Sequence, residues 1–366
     1  MSTVSKVFAA LLAPLVAVVA AMLITSLVVL LVGGAPGEFW SIIFSRPANR
    51  VFVNIINQSS MIFLSALAAA IGFRMNLFNI GVEGQYTLAS YTAAVFAGAA
   101  LLPGKLNILV SLLIAMAVGA IWAGIAGVLK VTRGVSEVIS TIMLNAIGTT
   151  LAGYLLLNYG QQYGSGRRTT PLKPSSELTG FTPFSSADGA IWSLVILAVL
   201  AGIAFNVLLN RTRFGFDLRA TGMSESAAVA SGVNVKKMVV VAMMLSGAVA
   251  GLIWMPALFN GAHYYGPTFQ AGLGFTGIAV ALLGRNRPLG IMFGALLFAF
   301  LNEQSNRLTL ETDISPNVVQ ITQGVIVLAV VIAYEVVRRW RATAEQNAVT
   351  RKLEESRPMG GEAVSA

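Results

Sequence analysis

Residues 74–85 read RMNLFNIGVEGQ and bring Asn76, Asn79, Glu83 and Gln85 close together, broken by Gly81 and Gly84. A carboxylate and three amides can donate and accept hydrogen bonds, but they supply neither a strong nucleophile nor a metal-ligand set. In an apolar chain such groups are costly to leave in lipid and mark solute pathways or interhelical contacts. Glycines let a membrane helix break and expose backbone groups to a cavity. Two readings follow: a discontinuous helix beside a solute path, or a turn at the membrane surface in which Glu83 pairs with Arg74. Asn145, with Thr141, Thr149 and Thr150 nearby, either lines a path or hydrogen-bonds a neighbouring helix. Asn54, Asn57 and Gln58 carry the same ambiguity.

Other chemistries lack material. There is no cysteine and one histidine, His263. That removes disulfides and thiolate metal sites, and a single imidazole is thin material for a His-based zinc site or a Ser-His-Asp triad. Residues 272–277, GLGFTG, match GxGxxG, but they lie among apolar residues and the next charges are Arg285 and Arg287. A dinucleotide site needs a preceding strand and an acid about 20 residues on. The segment reads instead as a flexible or re-entrant element. No GxxxxGK[ST] occurs, so ATP hydrolysis is not expected on this chain. Residues 247–251 and 290–294 both read GxxxG, which predicts close helix packing.

The elements that must position these groups are membrane helices. Of 366 residues, 56% are hydrophobic and 11% charged, against about a quarter charged in soluble domains. Uncharged runs occupy 7–37, 51–73, 106–129, 138–157, 189–210, 238–284 and 314–334. A crossing needs about 20 apolar residues. Residues 238–284 suffice for two crossings, with a turn at 261–267. Residues 75–103 and the short run 288–302 complete an all-α bundle of about ten spans. The apolar run after Lys6 exceeds the roughly 7–15 residues of a signal-peptide core and reads as an uncleaved first span. With the N-terminus inside, alternation leaves seventeen basic residues on the cytoplasmic side and seven outside, in keeping with the positive-inside rule. The formal net charge of +9 thus reports membrane orientation and not nucleic-acid binding. Five spans per half would make any internal duplication an inverted repeat.

Outside the spans, 33–50 predicts a short surface helix and 158–188 an exposed loop rich in Gly, Ser, Thr and Pro. The tail from Glu335 is charged, partly helical, then disordered beyond Arg357. The longest internal cytoplasmic loop is 211–237. Within it 224–231, SESAAVAS, predicts a short helix capped by Ser224 and ended by Gly232. It suits docking into another protein's groove, or is a plain connecting helix.

Residues 78–85 (FNIGVEGQ), 220–233 (ATGMSESAAVASGV) and 274–290 (GFTGIAVALLGRNRPLG) together resemble the permease family of bacterial ABC importers that handles ribose, branched-chain amino acids and nucleosides. The similarity runs over roughly 11–338, and NIGVEGQ resembles the longer permease of the nucleoside branch. The resemblance implies the all-α fold of type II importers, with residues 1–340 as the permease domain and 341–366 as a cytoplasmic tail. It implies a bacterial cytoplasmic (inner) membrane location, and the count of basic residues puts both termini inside. It implies a heterodimer with a second permease, a cytoplasmic ATP-binding subunit that carries ATP and magnesium, and an extracytoplasmic solute-binding lipoprotein. No cofactor is expected on this chain. The family's coupling pattern E-A-A…G matches Glu225, Ala227, Ala228 and Gly232, with Ser226 inserted. Alternating access would carry nucleosides or related sugars past Asn76, Asn79, Glu83, Gln85 and Asn145. An ion-driven secondary transporter would need more intramembrane carboxylates than Glu83, and a membrane enzyme would need an acid–base or metal cluster facing one cavity.

Overall fold

The computed structural model describes residues 18–312 and 314–355. The first expected span is described from α1 (Val18–Leu31), and its earlier residues lie outside the described ones. α2 (Pro36–Ile43), α3 (Asn49–Arg74), α4 (Val82–Ala99), α5 (Gly104–Arg133) and α6 (Glu137–Tyr159) follow, then a hairpin of β1 (Gln161–Tyr163) and β2 (Gly166–Arg168). Next come α7 (Val195–Arg211), α8 (Arg213–Met223), α9 (Glu225–Ala230), α10 (Val235–Gly251), α11 (Met255–Ala257), α12 (Leu273–Leu283), α13 (Pro288–Glu311) and α14 (Asn317–Glu355). Contacts divide the chain into two units. One contains residues 37–319. The other contains the described parts of the N-terminal segment through Pro36 and of the C-terminal segment from Gln320. α14 runs as one helix through residue 341, and the expected disorder beyond Arg357 lies outside the described residues.

By length and composition, four helices among the described residues can cross a membrane: Asn49–Arg74, Gly104–Arg133, Glu137–Tyr159 and Val235–Ala262. A fifth arises if the pair Val195–Arg211 and Arg213–Met223, bent by 71°, counts as one span. Val18–Leu31, Leu273–Leu283 and Asn317–Ala333 are shorter apolar helices. The large apolar side chains exposed along α5, α6 and α7, among them Ile121, Met143 and Leu200, are those of helices whose solvent is lipid.

In the 37–319 unit α3 is central, packing against α12, α13, α10 and α7. Its run from Ala66 to Gly72 is wholly buried. Small residues let α5 and α10 meet at their backbones. A Cβ on Gly247 would overlap the carbonyl oxygen of Gly119, and one on Gly251 the carbonyl oxygen of Ala115. The tract 247–251 is thus a close-packing seam.

Three expectations need refinement. The segment 33–50 does hold a short helix, α2, but Phe39, Ile42 and Ile43 are buried. Its end is tied down by Gln304, whose Nε2 donates to the carbonyls of Ile42 at 3.2 Å and Ile43 at 3.0 Å. The loop 158–188 contains the β1–β2 hairpin, turned at Gly164 with φ +56°. The loop 211–237 contains a second helix, α8. Thr212 ends α7 and caps α8 by accepting the Gly215 N–H at 3.1 Å. Gly215 lacks the Cβ that would strike the Leu208 and Leu209 carbonyls at this bend.

Candidate functional site

The chain breaks between Arg74, the last residue of α3, and Val82, the first of α4. Asn79 and Gln85 close this break on themselves. Asn79 Nδ2 donates to Gln85 Oε1 at 3.0 Å and Gln85 Nε2 donates to Asn79 Oδ1 at 2.9 Å. Asn79 Oδ1 also accepts from Gly81 N at 3.0 Å, and its Nδ2 donates to Ser246 Oγ of α10 at 2.8 Å. Ser246 in turn donates to the Ala68 carbonyl of α3 at 2.6 Å. From α6, Asn145 Oδ1 accepts from Gly84 N at 2.8 Å and its Nδ2 donates to Ile80 O at 2.7 Å. Gly84 has to be glycine here, because a Cβ would come within 2.8 Å of Asn145 Cα.

Glu83 faces another element. Its Oε1 accepts from Gly272 N at 2.7 Å and its Oε2 from Gly274 N at 2.9 Å. These are the amides of the N-cap residue and of the first turn of α12, which have no partner within the helix. A carboxylate there also meets the positive end of the helix dipole. The GLGFTG segment is therefore an anion-holding helix start, and the anion is this chain's own Glu83. Gly274 leaves room for the Glu83 backbone, which a Cβ would crowd at 2.7 Å from its Cα. Tyr86 Oη lies 3.1 Å from Glu83 Oε1 and 2.9 Å from Gln270 O, and can donate to either. Around it Phe269 packs with the rings of Tyr86, Trp254 and Tyr265 at centroid distances of 5.4, 5.1 and 4.6 Å.

Of the expected pathway residues, Asn79, Glu83, Gln85 and Asn145 thus meet in one buried knot joining the 75–81 break to α4, α6, α10 and α12. Asn76 does not join it; it is exposed, in the turn after α3, with φ +58°. The alternative pairing of Glu83 with Arg74 is corrected by the structure. Arg74 donates through Nε and Nη2 to the Asn286 carbonyl, at 3.0 and 2.8 Å. Sequence reasoning missed Ser246, Tyr86 and the amides of Gly272 and Gly274. The only signal for Ser246 was its place beside a GxxxG tract.

The knot holds; it does not react. Its carboxylate is spent on backbone amides, and its side-chain amides are spent on one another, on Ser246 and on the backbone. Among the described residues no three potential metal ligands cluster.

The 211–237 segment forms the second feature. Ser224 Oγ accepts from Ala227 N at 3.3 Å, giving α9 its N-cap. Gly232, at φ +81°, ends it in the left-handed conformation that favours glycine. Asn234 Oδ1 accepts from Lys237 N at 3.0 Å and starts α10. Glu225 and Ala227 are exposed, whereas Ala228 is buried and seats the helix on its own chain. Met223 and Val229 are 88% and 60% exposed, leaving two apolar side chains beside α9 uncovered by the described residues.

Comparison with known proteins bears on this architecture. Residues 51–333 match a family model described as "Branched-chain amino acid transport system / permease component". The chain is 34% identical over 336 residues to the guanosine ABC transporter permease protein NupP of Bacillus subtilis, covering 89% of this chain and 94% of that one. It is 27% identical to the nucleoside ABC transporter permease protein NupB of Lactococcus lactis, covering 88% and 91%. It is 26% identical to the glucose ABC transporter permease protein TsgB13 of Haloferax volcanii, covering 90% and 88%.

Proposed function

The chain belongs to the permease-component family of branched-chain amino acid transport systems, and on that premise we propose that it moves nucleosides inward by alternating access. It is a multi-pass membrane protein and the permease component of an ABC transporter, and such permeases are not catalytic. The observation that carries the solute class is the 34% identity to a guanosine permease across nearly the whole of both chains. The glucose permease among its relatives favours a second reading, a simple sugar, because a nucleoside and a hexose share a hydroxylated ring.

In this reading the chain has about ten spans, related by an inverted repeat, with both termini in the cytoplasm of a bacterium. It pairs with a second permease. An ATP-binding subunit holding ATP and magnesium docks at α9, and a solute-binding lipoprotein docks outside. Residues 1–340 form the permease domain and 341–366 a cytoplasmic tail. Exposed Glu225 and Ala227 face the ATP-binding subunit, while Ala228 and Gly232 fix the helix that presents them. Asn79, Glu83, Gln85 and Asn145 act as the joint between the broken α3–α4 segment and its neighbours. Solute passes beside this joint, past Asn76. The full set of hydrogen bonds within the joint supports an anchoring role over direct contact with solute.

The test is uptake into proteoliposomes holding this chain, the permease and ATP-binding subunit encoded with it, and the matching binding protein. ATP-dependent accumulation of labelled guanosine, competed by adenosine and not by glucose, is expected. Accumulation of glucose alone would select the second reading. Uptake by this chain without an ATP-binding subunit would overturn the mechanism.

A further inference from the structure

Arginines from three separate elements converge where α3 ends. Arg74 closes α3 and donates twice to the Asn286 carbonyl, at 3.0 and 2.8 Å. Asn286 and Arg285 sit in the tight turn between α12 and α13 with φ of +55° and +54°. Consecutive non-glycine residues in this region are costly, because the Cβ crowds the following carbonyl oxygen. Here the conformation aims the Asn286 carbonyl at Arg74 and sets Arg287 beside it. From the other side, Gly222 of α8 lies so near that a Cβ would come within 2.8 Å of the Arg74 carbonyl oxygen. Arg219, one turn earlier, shares that face of α8. Arg219 and Arg287 are both charged neighbours of Arg74.

Three like charges so placed repel one another, and no ion pair ties any of the three to a carboxylate among the described residues. Two polar atoms here are also left over. Arg219 Nη1 and Asn286 Oδ1 are buried without a hydrogen-bond partner among the described residues. A buried donor or acceptor left without a partner is costly, because it has given up its bond to water. An anion that also carries a hydroxyl donor would satisfy the three charges and both of these atoms at once. Exposed apolar side chains follow two of these arginines in the chain. Leu289 and Phe293, one turn apart on α13, are 69% and 66% exposed, and Phe78 is 45% exposed.

We propose that Arg74, Arg219 and Arg287 seat the headgroup of an anionic phospholipid, its phosphate among the guanidinium groups, its glycerol hydroxyl on Asn286 Oδ1 and its acyl chains along Leu289 and Phe293. Basic pockets at the ends of membrane helices are suited to such headgroups. An acidic segment of a partner protein would satisfy the charges but leave the apolar border uncovered. The seat rests on the bilayer reading above and is independent of the solute.

The test uses the assembled transporter in neutral detergent, titrated with phosphatidylglycerol, phosphatidylcholine or inorganic phosphate. Native mass spectrometry and the melting temperature are the readouts. Saturable phosphatidylglycerol adducts that raise the melting temperature are expected, with no such effect of phosphatidylcholine or phosphate. Affinity should fall about fivefold for each arginine in R219Q and R287Q, while Lys236→Gln on α10 leaves it unchanged. R287Q alters an exposed residue and keeps the test alive if R219Q does not fold. Equal affinity in these variants overturns the proposal. So does an equal shift with inorganic phosphate, or adducts seen only after the ATP-binding subunit is stripped away, which would assign the cluster to that protein. Neither readout needs transport, so a failed uptake assay and a failed lipid assay are told apart.

Discussion

Glu83 Oε2 lies 2.9 Å from the backbone nitrogen of Gly274, across 191 residues of sequence. With Oε1 on Gly272 N, one carboxylate closes the first turn of α12 and locks α4 to it. Bonds to a charged acceptor are worth about 1.5–3 kcal/mol each, and losing them strands two backbone donors.

Glu83→Ala should therefore lower the unfolding free energy in detergent by about 3 kcal/mol. Glu83→Gln, which keeps one acceptor oxygen, should lose less. Thermal melting of the purified variants checks this ordering. A melting point for Glu83→Ala equal to that of the parent would remove the capping role.

The α5–α10 seam predicts a contrast among glycines. Gly251→Val forces a side chain into the Ala115 carbonyl and should cost about 1–3 kcal/mol by overpacking. Gly153→Ala on α6 meets nothing within 4 Å and should stabilise by up to about 1 kcal/mol from helix propensity. Denaturant titration of both variants measures the difference directly.

Coupling should depend on which face of α9 is altered. The natural sequence has no cysteine, so single cysteines report cleanly. Ala227→Cys, exposed, should cross-link to the ATP-binding subunit, and Ala228→Cys, buried, should not. Ser224→Ala removes the cap and should weaken α9 by about 1 kcal/mol. Hydrogen exchange would then quicken over 225–231, and uptake would fall relative to ATP hydrolysis.

Orientation is open to the same labelling. Ser226→Cys on α9 and Ser186→Cys in the loop before α7 are both exposed positions. A membrane-impermeant maleimide added to intact cells should modify the second and spare the first. The reverse pattern would turn the proposed topology inside out.

The sequence by itself determined the membrane class, because 56% hydrophobic residues cannot be hidden in one water-soluble core. It also determined the ends of short helices. Ser224 and Gly232 bound α9 through bonds and backbone conformations that depend only on near neighbours. The GxxxG tract at 247–251 was legible as a packing seam, since removing side chains has one physical consequence.

Partners distant in the chain were not legible. Nothing local says that Glu83 will turn from Arg74 to the amides of Gly272 and Gly274, or that Asn145 will spend both its atoms on the 80–84 backbone. Nor does anything local gather Arg74, Arg219 and Arg287. A polar group in an apolar chain must find a partner. Which partner depends on which helices pack side by side, and only the tertiary structure decides that.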